Sequence, residues 1–177
     1  MKKNLLICCL GIFSAFAPAV SAQNRSLYST LDARKCQNTA FDEQSESGSW
    51  RCNGVSGYKL ILIDAHLRGD VTLISPSRQE HPLHLSRIFP SFSGVGERAE
   101  WRMKRINSVQ KPVALIVRYN VSDAEETGRA TSYLMVSKIT VAETCVVGFV
   151  PPSPTQNAKA REMADRAATM NCFQTAE

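Results

Sequence analysis

Hydrophobic and polar residues alternate with a period of two along the middle of the chain. In Glu100–Lys104, Trp101 and Met103 fall on one side, and Glu100, Arg102 and Lys104 on the other. Farther on, Val113, Leu115, Val117, Tyr119 and Val121 point one way and Arg118 and Asn120 the other. Tyr58–Ala65 is a continuous apolar, branched run of strand length, preceded by Gly54 and Gly57 and followed by Gly69-Asp70. Val71–Ser75 follows and stops at Pro76; Thr131–Val141 and Thr144–Val150 come later with almost nothing between them. The short links, Asn107–Lys111 among them, predict hairpins. Six or so strands joined this way predict a mainly β fold: an antiparallel meander, either a sandwich or a partly open barrel. Parallel neighbours would need longer crossovers.

The period changes near the end. Ser153-Pro154-Thr155-Gln156 offers a capping serine, a proline at the first helical position and a glutamine at the third. Ala160, Met163, Ala164, Ala167, Ala168 and Met170 then recur at helical spacing, with Lys159, Arg161, Glu162, Asp165 and Arg166 on the outer face. These signals predict one C-terminal helix over about 154–171, packed on the sheet. Cys172 continues the inner row and Cys145 opens the last strand. A bridge between them would strap the helix across the sheet, beside Val147 and Phe149 on the same strand face.

The N-terminus carries a different pattern. Lys2 and Lys3 precede the apolar run Leu5–Phe16, then Pro18 and the small residues Val20-Ser21-Ala22. That order reads as an export signal over residues 1–22. It predicts a mature start at Gln23, a flexible polar lead-in over 23–30 and a single domain over 31–177. Export implies a periplasmic or secreted protein, not an integral membrane protein after cleavage. Four cysteines then remain, Cys36, Cys52, Cys145 and Cys172, an even set suited to disulfides. Three pairings are possible on paper; closure between sequence neighbours favours Cys36–Cys52 and Cys145–Cys172. There is no C-x-x-C pair, and the spacing is too wide for a structural zinc site. The loop between the first two cysteines, with Asp42, Glu43, Glu46 and Gly48, suits a solvated hairpin or turn.

Charge and candidate chemistry add less. The mature chain is mildly basic, but Arg87, Arg98, Arg102, Lys104, Arg105, Lys111 and Arg118 gather in one stretch against only Glu97 and Glu100. A basic sheet face of Arg102, Lys104 and Arg118 would meet an anionic envelope component or an unknown protein partner; the bland alternative is a solvated face. No nucleic-acid module is present. His81 and His84 sit three apart, but Pro82 interrupts the helical turn that would let them share a metal. Asp64 and His66 share a strand face without an identifiable serine nucleophile. Asp123, Glu125 and Glu126 look like solvated charge. No motif calls for a cofactor. These residues define the alternative reading, a periplasmic hydrolase or metal-dependent enzyme using His66, His81 or His84. The loop Phe89–Phe92 offers a third, a contact that docks the protein on a larger complex, against a plain loop tucked onto the sheet edge.

The segments "LYSTLDARKC", "GSWRCNGVSGYKL", "AEWRM", "KPVALIVRY" and "CVVGFV", followed by a helix and Cys172, resemble a group of small exported bacterial proteins of unknown function. The resemblance implies an exported address and supports both disulfides, and it carries no catalytic residue or cofactor. A fainter likeness, through "RCNG…YKLIL" and the later tryptophan strand, is to periplasmic lysozyme inhibitors; it is an analogy of fold only.

Overall fold

The computed structural model describes residues 24–123 and 128–174. The expected leader with Cys8 and Cys9, and the acidic Glu125 and Glu126, lie outside the described residues. Ten strands form one mixed sheet: β1 (Arg25–Thr30), β2 (Gln37–Asp42), β3 (Ser47–Asn53), β4 (Lys59–Ala65), β5 (Arg68–Ile74), β6 (Glu80–Pro82), β7 (Ser93–Ile106), β8 (Val109–Ser122), β9 (Ala130–Ile139) and β10 (Thr144–Val150). The order across the sheet is β10-β9-β8-β7-β5-β4-β3-β2, with β1 on β7 and β6 on β5. All pairings are antiparallel except one: Arg68 of β5 lies parallel to Ser93 of β7. The helical turn α1 (Leu85–Ile88) and β6 supply the crossover that this contact needs.

The mainly β expectation holds, but the strand count was too low. β2 is exposed at every position, so no apolar period marks it. It forms, with β3, the hairpin between Cys36 and Cys52. Residues 25–30 are not a loose lead-in. They form β1, paired along β7 from Arg25 opposite Met103 to Thr30 opposite Arg98. Composition hid this strand because much of what it satisfies is polar: Ser29 Oγ accepts from Trp101 Nε1 at 2.9 Å, and Ser26 Oγ accepts from Arg102 Nη1 at 2.6 Å.

Strands as distant in order as β4 and β9 contribute to one core, so the sheet curls on itself. Leu60, Leu62, Val71, Leu73, Trp101, Leu115, Tyr119 and Met135 fill the inside. On the outside, Ala114, Ile116, Leu134, Val136, Val147 and Val150 meet helix α2 (Gln156–Arg166) and the following turn through Ala160, Ala164 and Ala167. β8 is therefore buried on both faces over residues 114–117. The small alanines let the helix axis approach the sheet.

Both disulfides form, Cys36–Cys52 and Cys145–Cys172. Chain entropy assigns each about 3 to 4 kcal/mol. Three details of the C-terminal reading are corrected. The capping box is absent: Thr155 occupies the cap position without a side-chain bond, and the Gln156 amide donates to the Ser132 and Val150 carbonyls at 2.7 and 3.0 Å. Gln156 thus ties β9 to the end of β10 instead of closing its own helix. The helix also ends early, and Cys172 lies beyond it in irregular chain. Finally, a bulge at Val146/Gly148 breaks the alternation of β10. Val147 joins the helix side, whereas Phe149 turns inward against Phe89 and Tyr133.

Candidate functional site

Of the three cations expected to make a solvated basic face, only Lys104 is exposed. Arg102 is 6% exposed. Its guanidinium is held by both Asp165 oxygens of α2, at 2.8 Å each, and by Ser26. Asp165 sits on the helix flank one turn after Arg161, and Arg161 in turn clamps Glu100 of β7 at 2.6 and 3.2 Å. Ser26 Oγ donates to the same Glu100 carboxylate. This chain of charges locks α2 and β1 onto β7. Burial works against ionisation of Glu100, but hydrogen bonds from Arg161 and Ser26 and the charges of Arg161 and Arg102 outweigh it, and its carboxyl is held below the ordinary 4.5. Asp165 is lowered in the same way: burial opposes, while hydrogen bonds from Arg102 and Asn24 and the Arg102 charge prevail.

Arg118 is placed differently. It lies half-buried on the helix side of β8, opposite an irregularity in β7. Val95 pairs with Tyr119 and Ala99 with Val117, so Gly96, Glu97 and Arg98 face the single residue Arg118. Extra residues in a strand bend it and re-aim side chains. Here they open a groove of about 350 Å³ beside the first half of α2. It is lined by Gly96, Ile116 and Leu134, by the cations Arg98, Arg118 and Arg161, by the carboxylates Glu97 and Glu100, and by Tyr28 and Asn157. A Cβ on Gly96 would stand 2.9 Å from Arg118 Cβ, so only glycine lets the arginine stem cross the bulge. A second hollow of about 330 Å³ continues past Tyr28, Glu97 and Arg98 towards Asp32 and Lys35.

The balance of charge in this groove is uneven. Glu100 serves Arg161 and stands 4.0 Å from Arg102. Glu97 is exposed and reaches Arg34 at 3.4 Å. Arg34 also binds both oxygens of the buried Asp32, at 2.9 and 3.0 Å, and holds that carboxyl far below its ordinary range. Arg118 donates only to neutral oxygens, Ser132 Oγ at 2.7 Å and Gln156 Oε1 at 3.4 Å. The guanidinium of Arg98 sits 5.4 Å over the Tyr28 ring. Among the described residues neither Arg98 nor Arg118 makes an ion pair. The groove therefore carries two unneutralised guanidiniums and the Asn157 amide around a partly apolar floor. Such a set can grip one anionic group by forked hydrogen bonds.

The histidines are not gathered into a site. His66 lies exposed in the turn between β4 and β5, His81 in β6, and His84 caps α1 with a left-handed backbone. The one close group of three ligating side chains among the described residues is Glu143, Cys145 and Cys172. Both of its sulfurs belong to the disulfide, so it offers no thiolate to a metal. In the loop after α1, Phe89 stacks on Tyr133 at 4.4 Å, whereas Phe92 remains 56% exposed.

No family model, curated protein or solved structure matches the chain. Arg118 is the one groove residue among the three cations expected to form the basic face. Arg98, Tyr28 and Asn157 were missed as site residues. Gly96 two residues before Arg98 was the available signal, because glycine inside a strand marks a bulge or a close approach of chain.

Proposed function

We propose that this protein is an exported binding module of the bacterial envelope that holds an anionic group of a partner or envelope component in the groove between the β7 bulge and α2. One observation carries the reading: Arg98 and Arg118 line the same groove and, among the described residues, neither makes an ion pair, because the two carboxylates there, Glu97 and Glu100, are engaged by Arg34 and Arg161. Their neighbours Arg102 and Arg161 on the same side of the sheet are both neutralised. A guanidinium kept half-buried without a counter-charge costs folding energy, and a ligand carboxylate or phosphate would repay it. The groove volume matches one small group or the end of a chain rather than a broad macromolecular face. The two disulfides support a periplasmic or secreted address.

Inorganic phosphate is the simplest probe. In nitrogen-15 spectra, phosphate should shift the side-chain signals of Arg118, Arg98 and Asn157 in a saturable manner, and Arg118→Gln should abolish the effect. Phosphate shifts that survive Arg118→Gln, or that spread over all surface arginines alike, would remove the groove as the binding site.

A further inference from the structure

The two longest strands outrun their neighbours. β1 covers β7 only as far as Met103, and β9 covers β8 only from Ala114 onward. Residues 104–111 therefore form a two-stranded ribbon that projects past the sheet with no other strand beside it among the described residues. Asn107 and Ser108 close it, both with left-handed backbones (φ 48° and 64°), the turn that matches the natural twist of a hairpin.

Cross-strand register decides what the ribbon displays. Ile106 stands opposite Val109, and two residues back Lys104 stands opposite Lys111. Residues two apart share a face, so these four side chains lie together: two aliphatic groups at the tip, two ammonium groups behind them. Ile106 is 38% and Val109 56% exposed, and both lysines are exposed. Arg105 adds a third cation from the opposite face, and the exposed Arg25 sits at the base, opposite Met103. No acidic residue occurs anywhere between Arg102 and Ser122. Among the described residues, none of Lys104, Arg105 and Lys111 makes an ion pair.

This arrangement runs against the folded state's own interest. Like charges directly opposite each other destabilise a hairpin, and a β-branched pair exposed at the end of an uncovered ribbon invites aggregation. Lysines alone would be explained as protection of a bare edge. That explanation does not account for Ile106 and Val109, the two exposed apolar residues that flank the turn. Lipid accounts for both. The lysines stand about 7 Å behind the tip, two strand residues at 3.4 Å each. Insertion of the tip to the acyl boundary then leaves the ammonium groups at the level of the phosphates.

We propose that the β7–β8 ribbon seats on the surface of an anionic bilayer, with Ile106 and Val109 entering the interface and Lys104, Arg105 and Lys111 meeting lipid phosphates. The inference does not depend on the groove, which lies on the sheet farther back along β7. It places the protein at a membrane face.

Co-sedimentation of residues 23–177 with vesicles tests it. Binding should be measurable on mixed phosphatidylcholine–phosphatidylglycerol vesicles, near background on pure phosphatidylcholine, and should fall steeply with salt. Each lysine near an anionic surface is worth about a five-fold change in partitioning, so Lys104→Gln with Lys111→Gln should weaken binding about twenty-five-fold. Ile106→Ser with Val109→Ser should weaken it about ten-fold. Arg98→Gln with Arg118→Gln, which empties the groove, should leave vesicle binding unchanged. A Val109→Trp reporter should be quenched by lipids brominated on their acyl chains. Equal binding to neutral vesicles, indifference to the lysine pair, loss only in the groove variant, or an unquenched reporter would each overturn the proposal. Retention by a soluble polyanion without retention by anionic vesicles would overturn it too, in favour of a polymer or protein partner.

Discussion

Arg102 and Arg118 lie on adjacent strands, β7 and β8, and face the same helix. Asp165 of α2 meets Arg102, whereas Gln156 of α2 meets Arg118. The first arginine becomes part of the fold: buried, doubly hydrogen-bonded and charge-balanced. The second is anchored by neutral oxygens and keeps its charge facing a groove. Two similar side chains thus end differently, one neutralised within the fold and one left charged at a groove, because of which helix residue lies above each. Charge at the surface of a sheet carries no functional meaning until its partner is known.

Breaking the structural half should cost the most. Arg102→Ala leaves Ser26 without its donor and Asp165 with Asn24 alone, and opens space under α2. Arg102 is buried but the Asp165 side chain is 36% exposed, so solvent screening reduces the loss expected of a fully buried pair to about 2 kcal/mol. Urea unfolding of Arg102→Ala, Asp165→Ala and the double variant should show strong coupling, with the double variant no worse than Arg102→Ala alone. Additive losses would mean that the pair does not act as a unit. Gly96→Ala should come next. Its Cβ would press on that of Arg118 across the bulge, at 2.9 Å. The expected loss is about 1 to 2 kcal/mol, together with loss of the phosphate response, because the arginine stem must move.

Acid should weaken the network of Arg102, Asp165, Glu100 and Arg161, whereas Arg118 has no carboxylate partner among the described residues to lose. Glu100 and Asp165 both titrate below their ordinary values in the folded protein. The unfolded chain therefore takes up protons first as pH falls. The stabilisation from these carboxylates is complete above the unfolded range near 4 and is lost as pH drops through the lower folded values. A plot of stability against pH should fall below about pH 4, and Arg102→Ala should flatten that part of the curve. An unchanged slope in the variant would show that other carboxylates dominate.

Much of the fold was legible because it obeys a period. The core strands β4, β5, β7, β8, β9 and β10 all show the apolar runs expected of them. Both cysteine pairs match the one of three possible pairings that closure between sequence neighbours favours. What escaped obeys no period. β1 and β2 are held largely by backbone pairing and hydroxyl bonds, with Leu27 of β1 packed on the core, and neither shows an apolar period. The inward turn of Phe149 depends on one extra residue in β10, and alternation before and after that point looks equally regular. Gln156 matches a capping glutamine by position, yet its amide finds two strand carbonyls that only the assembled sheet supplies. The site suffered most. Arg102, Lys104 and Arg118 look equivalent on paper because each is a cation on the polar side of a strand. Only the chain fold puts Asp165 over one, solvent around another and the Gly96–Arg98 bulge against the third.

The smallest predicted stability effect sharpens the comparison most. Arg118→Gln removes a cation that no carboxylate neutralises, and the shorter amide can still reach towards Ser132. Stability should change by less than about 1 kcal/mol, in contrast to the larger loss at Arg102. The sign is also informative. A half-buried charge without a counter-ion is unfavourable to the fold, so a neutral replacement can raise stability slightly while ending the phosphate response. That combination, a neutral or gained stability with lost binding, is what a site held ready for an anion requires. If Arg118→Gln instead unfolded the protein as readily as Arg102→Ala, both arginines would be struts and the groove would lose its claim to a ligand.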